Sequence, residues 1–397
     1  MERSLSMALK LVAALMLLLT CASCLGQRQI NELAIVTAVG LAKGEKPGTV
    51  KLSVQIIRPS DARGQTGAPS GGTGQPIYSA QAEGESIFDA IRNLGRFVSR
   101  RVYWAHNFLI VMHEDYAKEG IGDMMDFFTR NHELRMDTWV AVTSDSPDEL
   151  ISTITGLEVV PGEGINNLFM DNKVVGNATS SNMRNLEEAV LSKSTEPAIA
   201  RLQLVSRGIS NKKPEEHGSL KQVELKGAAA FKNNQMMGWL TPSETRALLF
   251  FTEKLQSGIE VVDCPNIDKR LTLEFRDAKL KVRSGYSNEQ PRFQVTLKTQ
   301  ADIVESSCGT NVSSIRDDAA RALEGKLKEK LESVIDKAQH QYRSDFLKLG
   351  DVFRNRFPAE WRTVRGDWNG AFSKAEVTVT VHAKIKSAVV KAVGTVR

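Results

Sequence analysis

Sulfur offers the first chemistry in this 397-residue chain. Two of its four cysteines lie in Cys21-Ala22-Ser23-Cys24, directly behind an apolar run from Leu11 to Leu19 that Arg3 and Lys10 precede. A positive start, a short apolar stretch and small residues before a cysteine are what an export signal processed by a lipoprotein signal peptidase requires. In that reading residues 1–23 are removed, and the Cys24 sulfur carries a thioether-linked diacylglycerol at the head of the mature chain. Cys21 occupies the position three before it, where Leu is usual, and is itself a poorer acceptor because Thr20 fills the tight site before it. Nine apolar residues are too few to cross a bilayer as a helix. Two acyl chains, at about 0.8 kcal/mol per buried methylene, suffice for stable anchoring. The alternative is an ordinary secretory signal with incidental cysteines.

The remaining pair, Cys264 and Cys308, stand 44 positions apart near expected strand ends. An exported protein allows them to bond, and two free buried thiols fit the sequence equally well. His106 shares an expected strand face with Trp104 and Phe108, where a buried, hydrogen-bonded histidine is the ordinary outcome and a ligand the sharper one. Arg130, Glu133 and Arg135 could bind an anion or simply fix a helix-to-strand turn by salt bridges. Met124-Met125 and Phe127-Phe128 read as core. Trp239, Trp361 and Trp368 read as core anchors, or as aromatics at a partner-facing rim. No Gly-x-Ser-x-Gly elbow occurs, the mature chain from Cys24 holds no His-Glu-x-x-His or Cys-x-x-Cys, and Glu215-Glu216 and Asp317-Asp318 are sequence neighbours whose side chains diverge. These residues provide no catalytic set and no metal site.

Elements must position whatever these residues do. Leu33–Leu41 and Val50–Ile57 form a hairpin or meander, and Ser60–Pro76 is a glycine-rich surface loop with no helix behind it to cradle phosphate. From Ile77 to about residue 155, strand and helix alternate: 77–82, a helix from Glu85, strand 102–112, helix 115–128, strand 138–143, and a helix opened by Ser146-Pro147. Residues 159–177 carry no clear pattern, 183–191 are helical, and 201–205 form a strand. The stretch from Ser206 to Gly218 has the composition of a linker. Beyond it come strands at 223–226, 228–232 and 236–240 about an Asn233-Asn234 turn, and a helix capped by Thr241. Strands at 258–264, 270–282 and 292–304 follow, then a long helix over 314–342, a turn region holding Asp345 and Trp361, and a last strand over 375–388.

This pattern is α+β, with multi-domain mixed α/β modules and antiparallel or mixed sheets after a cleaved lipoprotein signal peptide. The domains expected are 24–210, dividing into two subdomains, a linker at 211–221, and 222–397. Hydrophobic residues make up 41% and charged residues 25%, an ordinary globular composition that excludes a disordered or fibrous chain. Losing Glu2, Arg3 and Lys10 with the signal takes the net charge from +5 to about +4. So thin and dispersed an excess suits an anionic membrane surface and excludes a dedicated nucleic-acid binder.

Cys24-x5-Ile30-Asn-Glu-Leu33-Ala-Ile-Val-x-Ala-Val-Gly40 resembles the mature start of the Ger(x)C proteins, lipoprotein C subunits of nutrient germinant receptors in spore-forming bacteria. The resemblance continues through Gly84-Glu-Ser-Ile-Phe-Asp-Ala-Ile91, Arg101-Val-Tyr-Trp-Ala-His106 and Asp126-Phe-Phe-Thr-Arg130-Asn-His-Glu133-Leu-Arg135. It resumes at Gly227-Ala-Ala-Ala-Phe231, Gly238-Trp-Leu240, Gln341-Tyr-Arg-Ser-Asp345 and Phe357-Pro-Ala-Glu-Trp361, so it runs in order along nearly the whole mature chain. Leu25-Gly26 stands where the family usually has Trp-Asp. The resemblance implies three mixed α/β domains and a non-enzymatic subunit on the outer face of the spore's inner membrane. Its partners would be integral-membrane A and B subunits, and its only covalent group the lipid on Cys24. A competing class is an exported solute-binding protein or hydrolase with its own small-molecule site around His106, Arg130 and Arg135.

Overall fold

A computed structural model describes residues 32–58, 76–153, 160–209, 219–253, 257–264, 268–308 and 315–388, with a few isolated positions besides. Cys24, the cleavage region before it, 60–75 of the glycine-rich loop, and 210–218 of the expected linker lie outside the described residues.

Strands β1 (Leu33–Lys43) and β2 (Val50–Ile57) pair antiparallel with Val39 opposite Val54, and β3 (Ile77–Gly84) extends the meander along β2. Helix α1 (Ile87–Leu94) follows at once, because the Ser86 hydroxyl accepts the Asp89 N–H at 3.2 Å as its N-cap. Gly84 permits this sharp entry: a Cβ there would lie 2.3 Å from the Ala90 nitrogen. β4 (Arg101–Tyr103) runs parallel to the start of β1, with Arg101 opposite Leu33, and β5 (Leu109–His113) runs parallel to its later half. The single strand expected over 102–112 is therefore two strands, interrupted by a turn that puts His106 in solvent. The helix expected over 115–128 is likewise two, α2 (Glu114–Glu119) and α3 (Gly122–Arg130). Gly120 separates them at φ +136°, a conformation that only glycine adopts readily.

β6 (Trp139–Thr143) continues the parallel centre, followed by α4 (Pro147–Ser152), α5 (Pro161–Val175) and α6 (Met183–Leu191). Thus 159–177, patternless as sequence, is largely α5. β7 (Ala198–Ile209), β8 (Ser219–Lys232) and β9 (Gln235–Leu240) complete a sheet in the order β3-β2-β1-β5-β6-β7-β8-β9, with β4 beside β1. The parallel middle is covered on both faces, as such sheets must be. In β5, Ile110 and Met112 pack with α1, α2, α3 and α6, while Leu109 and Val111 pack with α4 and α5.

Two expectations are corrected here. β8 pairs with β7 up to Ser219 opposite Ile209, so 219–221 of the expected linker are strand, and the two strands on either side of it lie in one sheet rather than in two domains. Residues 222–240 accordingly belong to the first sheet. All strands from β1 to β9 also share that sheet, so the N-terminal region is one layered unit and not two subdomains. Asn233 and Asn234, at φ +49° and +65°, make the tight β8–β9 turn that their types announce.

Helix α7 (Pro242–Thr252) opens with a complete capping box between Thr241 and Glu244. The second sheet then forms from β10 (Ser257–Asp263), β11 (Arg270–Ser287), β12 (Gln290–Ser306) and β13 (Glu376–Ala388), in that order. β12 and β13 are parallel and so need a crossover. It consists of α8 (Arg316–Asp336), a wider turn at 337–341, α9 (Leu349–Arg356), α10 (Pro358–Val364) and α11 (Trp368–Ser373). Ala319, Leu323, Leu327, Leu331, Val334 and Ile335 form the buried stripe of α8 against this sheet and α7. Cys264 and Cys308 are joined as a disulfide, linking the ends of β10 and β12 past the start of β11.

Candidate functional site

A groove of about 1060 Å³ lies between α1, the 95–101 segment and α3 with the turn behind it. Its floor is apolar, with Ile87, Ile91, Trp104 and Phe127, and its rim is charged. Arg92, Arg96, Arg100, Arg101 and Arg130 face three acids, Asp123, Asp126 and Glu133. Two of those acids are occupied: Asp126 pairs with Arg130 at 2.6 Å one helical turn away, and Glu133 pairs with Arg101 at 2.7 Å. Glu133 also accepts the Trp104 N–H at 3.4 Å, which fixes the turn after β4. Arg92, Arg96 and Arg100 have no acidic partner among the described residues, although the Arg92 guanidinium lies over the Phe88 ring at 4.9 Å. The groove can therefore accept an anionic, partly apolar ligand surface, but it contains no nucleophile–base pair. Among the described residues no three His, Cys, Asp or Glu side chains gather to hold a metal.

Of the sequence-derived candidates only Arg130 and Glu133 line this groove. His106 is exposed on its turn, its ring 6.4 Å from Tyr103, so the expected core histidine is corrected: the strand breaks at Trp104, and alternation across a face no longer applies. Arg135 is exposed and outside the groove. The arginines at 92, 96 and 100, spaced by four, escaped attention because the apolar spacing of the same stretch assigned it to helix packing.

The other candidates meet where the two sheets join. Asp345 is fully buried. Its carboxylate accepts N–H groups from Gly350 at 2.6 Å, Leu347 and Leu349 at 3.2 Å, and the Trp368 indole at 2.9 Å. Burial pushes this carboxyl up to about 6, although the Trp368, Gly350 and Leu349 donors favour its charged form. Its backbone C=O accepts the Glu196 N–H and the Thr195 hydroxyl, both at 3.0 Å, which ties the crossover to the lead-in of β7. Trp361 is buried and packs on Trp368 at 5.2 Å. Trp239 is half-buried under Arg201 at 4.4 Å, and its C=O accepts Tyr342 Oη at 2.9 Å and Lys337 Nζ at 3.2 Å. Gly238 makes room for that tyrosine, since a Cβ would stand 2.6 Å from its hydroxyl. These three candidates are thus parts of a joint.

A second ionic cluster was not evident in the sequence. Glu260 on β10, 3% exposed, accepts Lys330 Nζ at 2.6 Å and Arg246 Nη1 at 3.3 Å. Burial lowers the Lys330 ammonium, against the hydrogen bond from Glu260 that supports its charge.

Comparison with known proteins places this geometry. The family profile described as the spore germination protein N-terminal domain matches residues 26–204, and that described as spore germination B3/GerAC like, C-terminal, matches 226–388. Spore germination protein KC of Bacillus subtilis (strain 168) is 24% identical over 372 residues, covering 90% of each chain. Spore germination protein B3 of the same organism is 23% identical over 391 residues, covering 93% of this chain and 95% of that one. The crystal structure of the GerBC protein superposes with a TM-score of 0.56 at 20% identity, over 88% of this chain and 98% of that chain, and so shares the fold.

Proposed function

The chain belongs to the Ger(x)C family of spore germination proteins, and from that premise we propose that it is a lipid-anchored, non-enzymatic subunit of a nutrient germinant receptor. Its role is in spore germination. Cys24 carries the diacylglycerol, and the body stands outside the cytoplasm on the outer face of the spore's inner membrane. Integral-membrane A and B subunits are its partners, and it uses no further cofactor. The observation that carries this reading is the match of both family halves, in order, over 26–388, beginning two residues after Cys24. It also accords with the described residues, in which no helix is long and apolar enough to cross a membrane.

The solute-binding or hydrolase alternative needs His106, Arg130 and Arg135 around one cavity, and only Arg130 lines the groove. The test is Cys24→Ala, scored for membrane retention of the protein and for nutrient-triggered germination. Loss of both is expected. A variant that stays on the membrane in spores that germinate normally overturns the anchored-subunit reading.

A further inference from the structure

We propose that the arginine groove beside α1 is the face this protein lays on an anionic phospholipid surface, so that the body is oriented as well as tethered. The proposal rests on the anchored reading above and adds the direction in which the body faces.

Three observations converge on this face. The first is charge: Arg92, Arg96 and Arg100 point cationic groups at solvent with no acid among the described residues to neutralise them, on a rim that holds five arginines against three acids. A phosphate-bearing surface supplies the missing partners. The second is exposed aromatic area. Phe88 on α1 lines the groove, and Phe97, which follows the lining residue Arg96 in sequence, lies beside it; each is 53% exposed. Large apolar side chains interleaved with arginines suit the boundary between headgroups and acyl chains. The third is position. β4 pairs with the first residues of β1, so the chain enters its fold at Leu33 directly opposite Arg101, a residue of the groove. Cys24 lies nine residues upstream of Leu33. Nine residues reach about 30 Å at most, so the lipid cannot stand far from this rim. One acylated residue and one basic patch, close together, make two signals acting on a single surface.

The experiment uses the mature lipidated chain in vesicles of phosphatidylcholine, with or without about 30% phosphatidylglycerol. Sedimentation with both vesicle types reports the anchor, and backbone hydrogen exchange over 86–101 reports the face. Exchange in that segment is expected to slow by roughly tenfold on anionic vesicles only, and to recover in about 0.5 M salt. In the R96E/R100E variant, which loses no ion pair among the described residues, the protein still sediments with both vesicles and the protection disappears. Equal exchange on the two lipids, with the protein sedimenting normally, overturns the proposal. So does slowing that occurs only when membrane-protein partners are added, which would give the groove to a protein. A chain that leaves zwitterionic vesicles refutes the anchor instead. The face is then judged on excess anionic vesicles, where equal exchange of wild type and R96E/R100E overturns it as well.

Discussion

Replacing Asp345 by Asn separates two things the buried carboxyl does. Its two oxygens accept four N–H donors, and Asn keeps only one acceptor oxygen. The amide NH2 then faces the Gly350 N–H and the Trp368 indole, or the Leu347 and Leu349 pair if it is flipped. Each buried donor left without an acceptor costs about 1–3 kcal/mol, so the loss is on the order of 2–6 kcal/mol and independent of pH. The carboxyl also titrates, and the sign of that effect is opposite to the usual aspartate. Burial raises it from 3.8 to about 6 in the folded protein, so between these values the folded state holds more protons than the unfolded one. Stability from this group is fully present below about pH 3.8 and is lost as pH climbs through 6. The free energy involved is about 3 kcal/mol. Urea unfolding of wild type and Asp345→Asn, followed from pH 4 to 7.5, measures both terms. The gap between the two curves should narrow by about 3 kcal/mol as pH rises, on top of the constant offset. Parallel curves refute the raised carboxyl. A gap that widens with pH means that the four donors outweigh burial and that Asp345 sits below an ordinary aspartate.

Two further predictions concern the second sheet. Reducing Cys264–Cys308, or replacing both by Ser, opens a loop of 44 residues and should cost about 4 kcal/mol, read as a lower urea midpoint; an unchanged midpoint on reduction contradicts it. Glu260→Gln leaves Lys330 and Arg246 without their shared carboxylate in a largely buried site, and should cost about 3–5 kcal/mol in thermal or urea unfolding. Arg130→Ala, which breaks only an exposed pair with Asp126, is the control and should stay within about 0.5 kcal/mol of wild type.

What was legible in the sequence was what neighbouring residues decide among themselves. Alternation gave β2 and β13, the Thr241-Pro-Ser-Glu244 box gave the start of α7, and Asn233-Asn234 gave the tight turn after β8. The ordered motifs gave the family, and at Gly84, under the start of α1, a motif glycine marks a local constraint.

The joints belonged to tertiary structure. A polar, glycine-bearing stretch at 211–221 reads as a domain linker in sequence, and only the pairing of β7 with β8 puts 219–221 and the strands on either side into one sheet. The groove arginines come from α1, the 95–101 segment and α3, and Asp345 meets Trp368 and Glu196 across 23 and 149 positions. Local periodicity decides strand and helix because its energy lies between residues a few positions apart. Which charges are neutralised, and which carboxylate is sealed from water, depends on partners that only the packed chain brings near.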